Sequence, residues 1–369
     1  MGHRLLALII KEFLALFRDK KSRMAVIVPP ILQLLVFGYA ATFELEHATL
    51  AIYNEDSGSF SRDLISRFER SQAFDVVGHL HSANDIKELV DRQDALLVLH
   101  VGRQCSANVA QGEGCPVQVV IDGRNSNTAM LALNYVRSII AEFNEEYIER
   151  HTGVRLPARL ALQAWFNPNL ESRWFIIPGI VALLAMVVTL VVTALSVARE
   201  REAGTFDQLL VTPLRPWEIM IGKAMPGLLI GIGEVSCIVA VAVYWFRIPL
   251  VGSLATLYLA LFIYVLSIIG IGLMISSFAG TLQQALLGSF LFIVPAATLS
   301  GFSTPIANMP DCMQTLTYLN PLRYFLIIVR RVFLEGTGLE YFWHELWPMT
   351  LIAVVTLALA TRLFRHRMY

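Results

Sequence analysis

The sequence is poor in charge. Only 16% of its 369 residues are Asp, Glu, Lys or Arg, while 56% are hydrophobic. A soluble domain carries roughly 25% charged residues, so this shortage excludes an ordinary soluble enzyme and points to a bilayer. Disordered, collagen-like and coiled-coil chains are excluded by the same figures. No sign of charge dominates: Lys+Arg and Asp+Glu each number 29. A nucleic-acid binder would show a basic surplus. Cysteine is scarce, at 105, 115, 237 and 312, and that spacing makes no metal site. Catalytic motifs are missing too. The one Gly-Lys pair, Gly222-Lys223, runs into Ala224 and lacks the upstream glycine of a phosphate-binding loop. His344-Glu345 continues as Leu346-Trp347-Pro348, so it is not a zinc-binding H-E-x-x-H. The chain is therefore expected to hold no catalytic residue, no metal and no cofactor of its own, and to bind no nucleic acid.

What is present is a set of long apolar runs. They cover residues 24–43, 174–198, 224–246, 254–278, 282–301 and 346–363. Each approaches the ~20 residues that cross a ~30 Å hydrocarbon layer. The apolar stretch 324–334 is too short to span and reads as an interfacial or re-entrant piece within the loop 302–345. Before the first run, Leu5, Leu8, Ile9, Phe13, Leu16 and Phe17 share one helical stripe, with Arg4, Lys11, Glu12 and Arg18 off it. Residues 1–23 read as a helix lying on the membrane, the alternative being a plain extension of the first span. The first run is too long for a signal peptide, and no small-residue cleavage site follows it.

Charge sets the orientation. Residues 1–23, the loop 199–223 and the C-terminal end from Arg362 together carry a net charge of +7. The insert 44–172 carries −7. Basic segments stay in the cytoplasm, so both termini, including the tail 364–369, are expected inside and the insert outside. Arg323, Arg330 and Arg331 fit this scheme less well, since they land outside. The expected fold is an α-helical membrane protein of about six spans, with an α/β extracytoplasmic domain between the first and second.

Within the insert, short apolar runs at 50–53, 74–77, 95–101 and 117–121 are bounded by turn residues and read as strands. Helix-like pieces lie near 62–70 and 83–92, and a longer one covers 128–150. Cys105 and Cys115 flank a glycine-rich loop. They form either a disulfide, which an oxidising compartment allows, or two buried thiols. His79 and His81 read as a surface strand rather than a metal pair.

The loop after the second span reads Arg199-Glu200-Arg201-Glu202-Ala203-Gly204-Thr205-Phe206-Asp207-Gln208-Leu209-Leu210-Val211-Thr212-Pro213. Phe206, Leu209 and Leu210 recur at helical spacing and form an apolar knob. Arg199, Glu200, Arg201, Glu202 and Asp207 are expected to rim it. Pro213 stops the helix, and Pro216 suits the first position of the next. An apolar knob with a charged rim is the anatomy of a docking site.

This loop resembles the coupling-helix region of type-2 ABC exporter permeases, whose ATPases are separate subunits. So does the stretch 301–310 followed by Leu319-Asn320-Pro321-Leu322-Arg323-Tyr324, and so does 120–129 in the insert. Lys11-Glu12-Phe13 with Arg18-Asp19 is similar to that family's interfacial helix. The resemblance covers essentially the whole chain. Within the family it is to the bacterial subgroup with a large external domain after the first span, linked to export of drugs or small amphiphiles. It implies a second permease subunit, identical or related, and P-loop ATPase subunits that bring ATP and Mg and dock on 203–210. It implies the bacterial inner membrane as location, and allows a periplasmic adaptor as a further partner. Residues 321–334 would form an external hairpin dipping into the lipid, with Arg323, Arg330 and Arg331 reaching headgroups or acidic neighbours.

Two polar residues stand inside spans. Glu234 sits mid-way along the third, where a charge costs about 2.5–3.5 kcal/mol. It reads either as a lining residue for a cation or proton, or as a carboxyl held by a neighbouring helix. Gln33 follows Pro29-Pro30 and marks a kink or the translocation path. Gly227 and Gly231 form a G-x-x-x-G that allows close packing, within one chain rather than between two. Two other function classes compete: a membrane-anchored receptor or scaffold, and a proton-coupled secondary transporter using Glu234. The first would not need the 206–210 knob. The second would show inverted repeats, which are not seen.

Overall fold

A computed structural model of the protein describes residues 2–18, 24, 28, 31–33, 35, 36, 39, 47–153, 163–168, 171–205 and 216–366. They divide into two compact units, 42–163 and the remainder.

In the unit 42–163, strands β1 (Ala48–Asn54), β2 (Phe74–Leu80), β3 (Leu97–Val101) and β4 (Val117–Ile121) alternate with helices α2 (Ser59–Glu69), α3 (Ala83–Asp91) and α4 (Cys105–Ala110). Helix α1 (Gly2–Arg18) belongs to the other unit, and α5 (Ser126–Thr152) follows β4. The sheet order is β2-β1-β3-β4, with β1 parallel to β2 and β3, and β4 antiparallel to β3. Parallel pairing needs crossovers, which α2 and α3 supply. Leu50, Ile52, Leu97 and Leu99 pack on one face against Phe60, Leu64 and Phe68 of α2 and Ala132, Val136 and Phe143 of α5. Ala51 and Val98 face the other way, under Ile86, Leu89 and Val90 of α3. Helices thus cover β1 and β3 on both sides, which is why those strands read as unbroken apolar runs. Edge strand β2, after buried Phe74, instead alternates exposed and half-buried positions. Ser82 caps α3 by accepting from Asn84 N, and Asn125 caps α5 by accepting from Thr128 N.

The segment between Cys105 and Cys115, read from sequence as a glycine-rich loop, contains the short helix α4. The two cysteines are joined as a disulfide, with Cα atoms 4.9 Å apart.

The second unit holds α1 and the helices α6 (Ser172–Glu202), α7 (Pro216–Tyr244), α8 (Leu254–Phe278), α9 (Leu282–Thr298), α10 (Asp311–Thr317), α11 (Pro321–Leu334) and α12 (Trp343–His366). Among the described residues, four stretches are long and apolar enough to cross a membrane: Ser172–Glu202, Trp217–Tyr244, Leu254–Phe278 and Leu339–Phe364. Helix α9, at 17 residues, is apolar but shorter. Of the run 24–43, only eight positions are described, and those are helical. Helix α6 is apolar all round and buried along most of its length, which makes it the core of the unit. Gly227 and Gly231 of α7 let that helix approach α6: a Cβ at either would collide with the Thr193 or Thr189 hydroxyl. The G-x-x-x-G thus serves packing within the chain.

Helix α11 is not a surface element. Leu322, Phe325, Ile328, Val329, Val332 and Phe333 are fully buried, and the Phe325 ring stacks on Tyr264 of α8 at 4.3 Å. Asn320 begins it, accepting from Leu322 N while its Nδ2 donates to Ala296 O of α9 at 2.7 Å. The apolar face expected to enter lipid is spent on α6, α8 and α12 instead.

The disulfide closes a loop of ten residues' separation. Chain entropy assigns such a closure about 3 kcal/mol. Replacing both cysteines by alanine should lower the unfolding free energy of 42–163, read from the urea midpoint at which it becomes protease-sensitive in the full-length protein, by about that amount. An unchanged midpoint would show that the bridge contributes nothing.

Candidate functional site

Lys223 lies about two turns inside the start of α7, among Ile219, Met220, Ile221 and Ala224. Its side chain is 0% exposed. An ammonium so placed is costly unless paired. Two carboxylates reach it: Glu200 of α6, Nζ to Oε2 at 2.6 Å, and Glu12 of α1, Nζ to Oε1 at 3.2 Å. Lys11 Nζ donates to the other Glu200 oxygen at 2.7 Å, and Ser196 Oγ donates to Glu12 Oε2 at 3.3 Å. Two cations and two anions from three helices balance, and only Lys11 is well exposed.

This corrects the sequence reading of two residues. Glu12 was expected off the apolar stripe of α1, but it is 8% exposed and lies inward beside Leu8. Glu200 was expected on a docking rim, yet it is also 8% exposed. In both cases the buried ammonium of Lys223 draws the carboxylate in. The signal was present in the sequence: a lone lysine inside an apolar helical run demands an anion.

The next two residues of α6 bind different neighbours. Arg201 Nη1 donates to Ser277 O at 2.9 Å and to Ala279 O at 3.2 Å, satisfying carbonyls at the end of α8. Glu202 Oε2 accepts from Leu282 N at 2.7 Å, the first residue of α9. Glu200, Arg201 and Glu202, three of the residues expected to rim the docking knob, thus fasten α6 to α1, α7, α8 and α9. Arg199 is half-buried. Helix α6 then stops sharply. Gly204 adopts φ +68°, Gly204 N donates to Arg201 O and Thr205 N to Glu200 O, a Schellman closure. A left-handed φ at that point favours glycine. Phe206, Asp207, Gln208, Leu209 and Leu210 lie outside the described residues.

The arrangement is a set of ion pairs between helices. Among the described residues, no cluster of His, Cys, Asp and Glu could hold a metal. The ion cluster and the Schellman closure make the end of α6, up to Thr205, a fixed point. A family model described as ABC-2 family transporter protein matches residues 20–362. The chain belongs to that family. It is 41% identical over 369 residues to "Probable multidrug ABC transporter permease YbhR" of Escherichia coli, covering 100% of both chains. It is 30% identical to "Probable multidrug ABC transporter permease YbhS" of the same organism, covering 90% of this chain and 89% of the relative. It is 25% identical to "Inner membrane transport permease YhhJ", covering 97% and 95%.

The other singled-out residues lie away from the ion cluster in this ABC-2 family chain. Both Glu234 carboxylate oxygens are buried with no hydrogen-bond partner among the described residues. Gln33 is half-buried. Arg323 donates to Thr317 Oγ1 and sits over the Tyr318 ring at 4.2 Å and the Tyr324 ring at 6.0 Å. Arg330 lies over Phe175 of α6 at 3.8 Å, and Arg331 pairs with Glu335 and Glu345. Pro321 opens α11 at its first turn. These arginines face protein groups; a helix packed on three others leaves them no need to reach headgroups.

Lys223→Met strands two buried carboxylates and should destabilise the protein by about 3–5 kcal/mol in detergent unfolding. Adding Glu12→Gln and Glu200→Gln should recover most of that loss. If Lys223→Met unfolds like the unmodified chain, the cluster does not hold these helices.

Proposed function

We propose that the protein is the membrane-spanning half of an ATP-driven bacterial exporter. Two such subunits, identical or related, pair in the inner membrane, and separate P-loop ATPases bind the knob at 206–210. ATP and Mg belong to those partners. Six spans, counting 24–43 and α9, place both termini in the cytoplasm and the unit 42–163 outside. The positive charge of 1–23, 199–223 and the C-terminus supports that orientation. The names of the relatives, multidrug permeases among them, support drug-like or amphiphilic cargo.

The observation that carries the reading is the fastening of α6. A motor docked on a loose loop would move only the loop. Here the loop begins at Gly204, one turn beyond Glu200, Arg201 and Glu202, whose side chains hold α1, α7, α8 and α9. A displacement at 206–210 is thereby passed to the helix ends as a body. Glu234 is a candidate for the path itself, since an intramembrane carboxyl with no hydrogen-bond partner among the described residues suits a transient one. Gln33 is a second candidate.

Phe206→Asp puts a charge at the centre of the knob while leaving the ion cluster intact. The variant should insert and melt like the unmodified protein, yet lose co-purification with its ATPase. Undiminished co-purification would rule out the knob as the docking point.

A further inference from the structure

The unit 42–163 contains a cavity of about 420 Å³, lined by Glu55, Arg103, Gln104, Asn108 and the disulfide of Cys105 and Cys115. That volume falls within the ~300–1,000 Å³ typical of small-molecule sites. Its place in the fold is telling. The chain leaves β1 for β2 on one side, then returns past β1 to β3 on the other. Strand order therefore reverses between β1 and β3. Ligands of open α/β sheets bind outside the carboxyl ends of the strands at such a reversal. Glu55 directly follows β1, and Arg103 and Gln104 follow β3.

The charged groups are arranged to receive two signs at once. Glu55 is fixed: the Tyr53 hydroxyl donates to Oε1 at 2.9 Å, and His100 Nε2 lies 3.3 Å from Oε2. Tyr53 and His100 stack at 4.8 Å, so the carboxylate rests on a packed base. The Tyr53 hydroxyl first, and then the His100 ring, hold its carboxyl below the usual carboxylate range. Arg103, in contrast, is 81% exposed and touches Glu55 only through Nε, at 3.3 Å. Such an exposed pair is weak and easily exchanged. A ligand of one sign would break it and leave the other partner uncompensated. A ligand with both signs replaces it: an ammonium takes Arg103's place on Glu55, and a carboxylate takes the guanidinium fork. The Gln104 and Asn108 amides add neutral donors and acceptors for the groups between.

We propose that this cavity binds small zwitterions carrying an ammonium and a carboxylate, of about dipeptide size. The site is distinct from the knob and the ion cluster, and its test needs no ATPase, so it stands or falls apart from the export reading. The full-length protein in lipid nanodiscs is titrated calorimetrically with alanyl-alanine, with N-acetyl-alanyl-alanine and with alanyl-alanine amide. Saturable binding of the free dipeptide is expected, weakened about tenfold or more by either cap. Glu55→Gln and Arg103→Gln should each weaken it similarly. Arg103 is exposed enough for its replacement to leave folding intact, so that variant decides even if Glu55→Gln misfolds. Absence of saturable binding, equal binding of a capped form, or full binding by Arg103→Gln would overturn the proposal.

Discussion

Lys223 has no route to water, and much of the membrane unit follows from that. An ammonium enclosed among apolar side chains must be answered by anions. Glu12 and Glu200 answer it from helices separated from it by 211 and 23 positions in sequence, with Lys11 completing the balance. The cost of leaving any one of them unpaired keeps α1, α6 and α7 in a single arrangement. Burial also spares the pairs the salt screening that makes surface ion pairs weak. Close packing extends the arrangement: Leu8 lies where a Cβ on Gly222 would be, and α7 meets α6 where Gly227 and Gly231 present no side chain.

Beside this ionic contact, the end of α6 is tied by directed hydrogen bonds. Arg201 takes the carbonyls that close α8, and Glu202 takes the first amide of α9. Consecutive residues of one helix point around its circumference, so a run of alternating charge can reach several neighbours at once. That gives a physical reason for the Arg-Glu-Arg-Glu run. It also shifts the docking role proposed for this region onto the apolar residues after Gly204, because the charges before it are engaged within the chain.

Local pattern made the α/β unit legible. The strands lie at 48–54, 74–80, 97–101 and 117–121, within a few residues of the apolar runs, since turn residues bound each one. The helices were legible for the same reason, including Pro216 at the head of α7. Helix α4 was hidden because its six residues sit among glycines and carry no periodicity. The inward turn of Glu12 and Glu200 was hidden for a different reason: it depends on a partner brought close by tertiary packing. Likewise α11 reads as interfacial because it is apolar yet too short to span, but its apolar face is buried in the chain and its arginines find Thr317, Phe175, Glu335 and Glu345 there. Periodicity reports which face is apolar, not what covers it.

The most direct measure of the central claim is cross-linking of α1 to α7 in the membrane. An ideal Cβ on Gly222 lies 3.5 Å from Leu8 Cβ, within the range that a disulfide spans. With Cys237 and Cys312 replaced by serine, Leu8→Cys with Gly222→Cys should oxidise to an intramolecular bond readily. Adding Lys223→Met should slow that oxidation strongly, because α1 loses its anchor. Failure of the pair to cross-link, or cross-linking unaffected by Lys223→Met, would contradict the account.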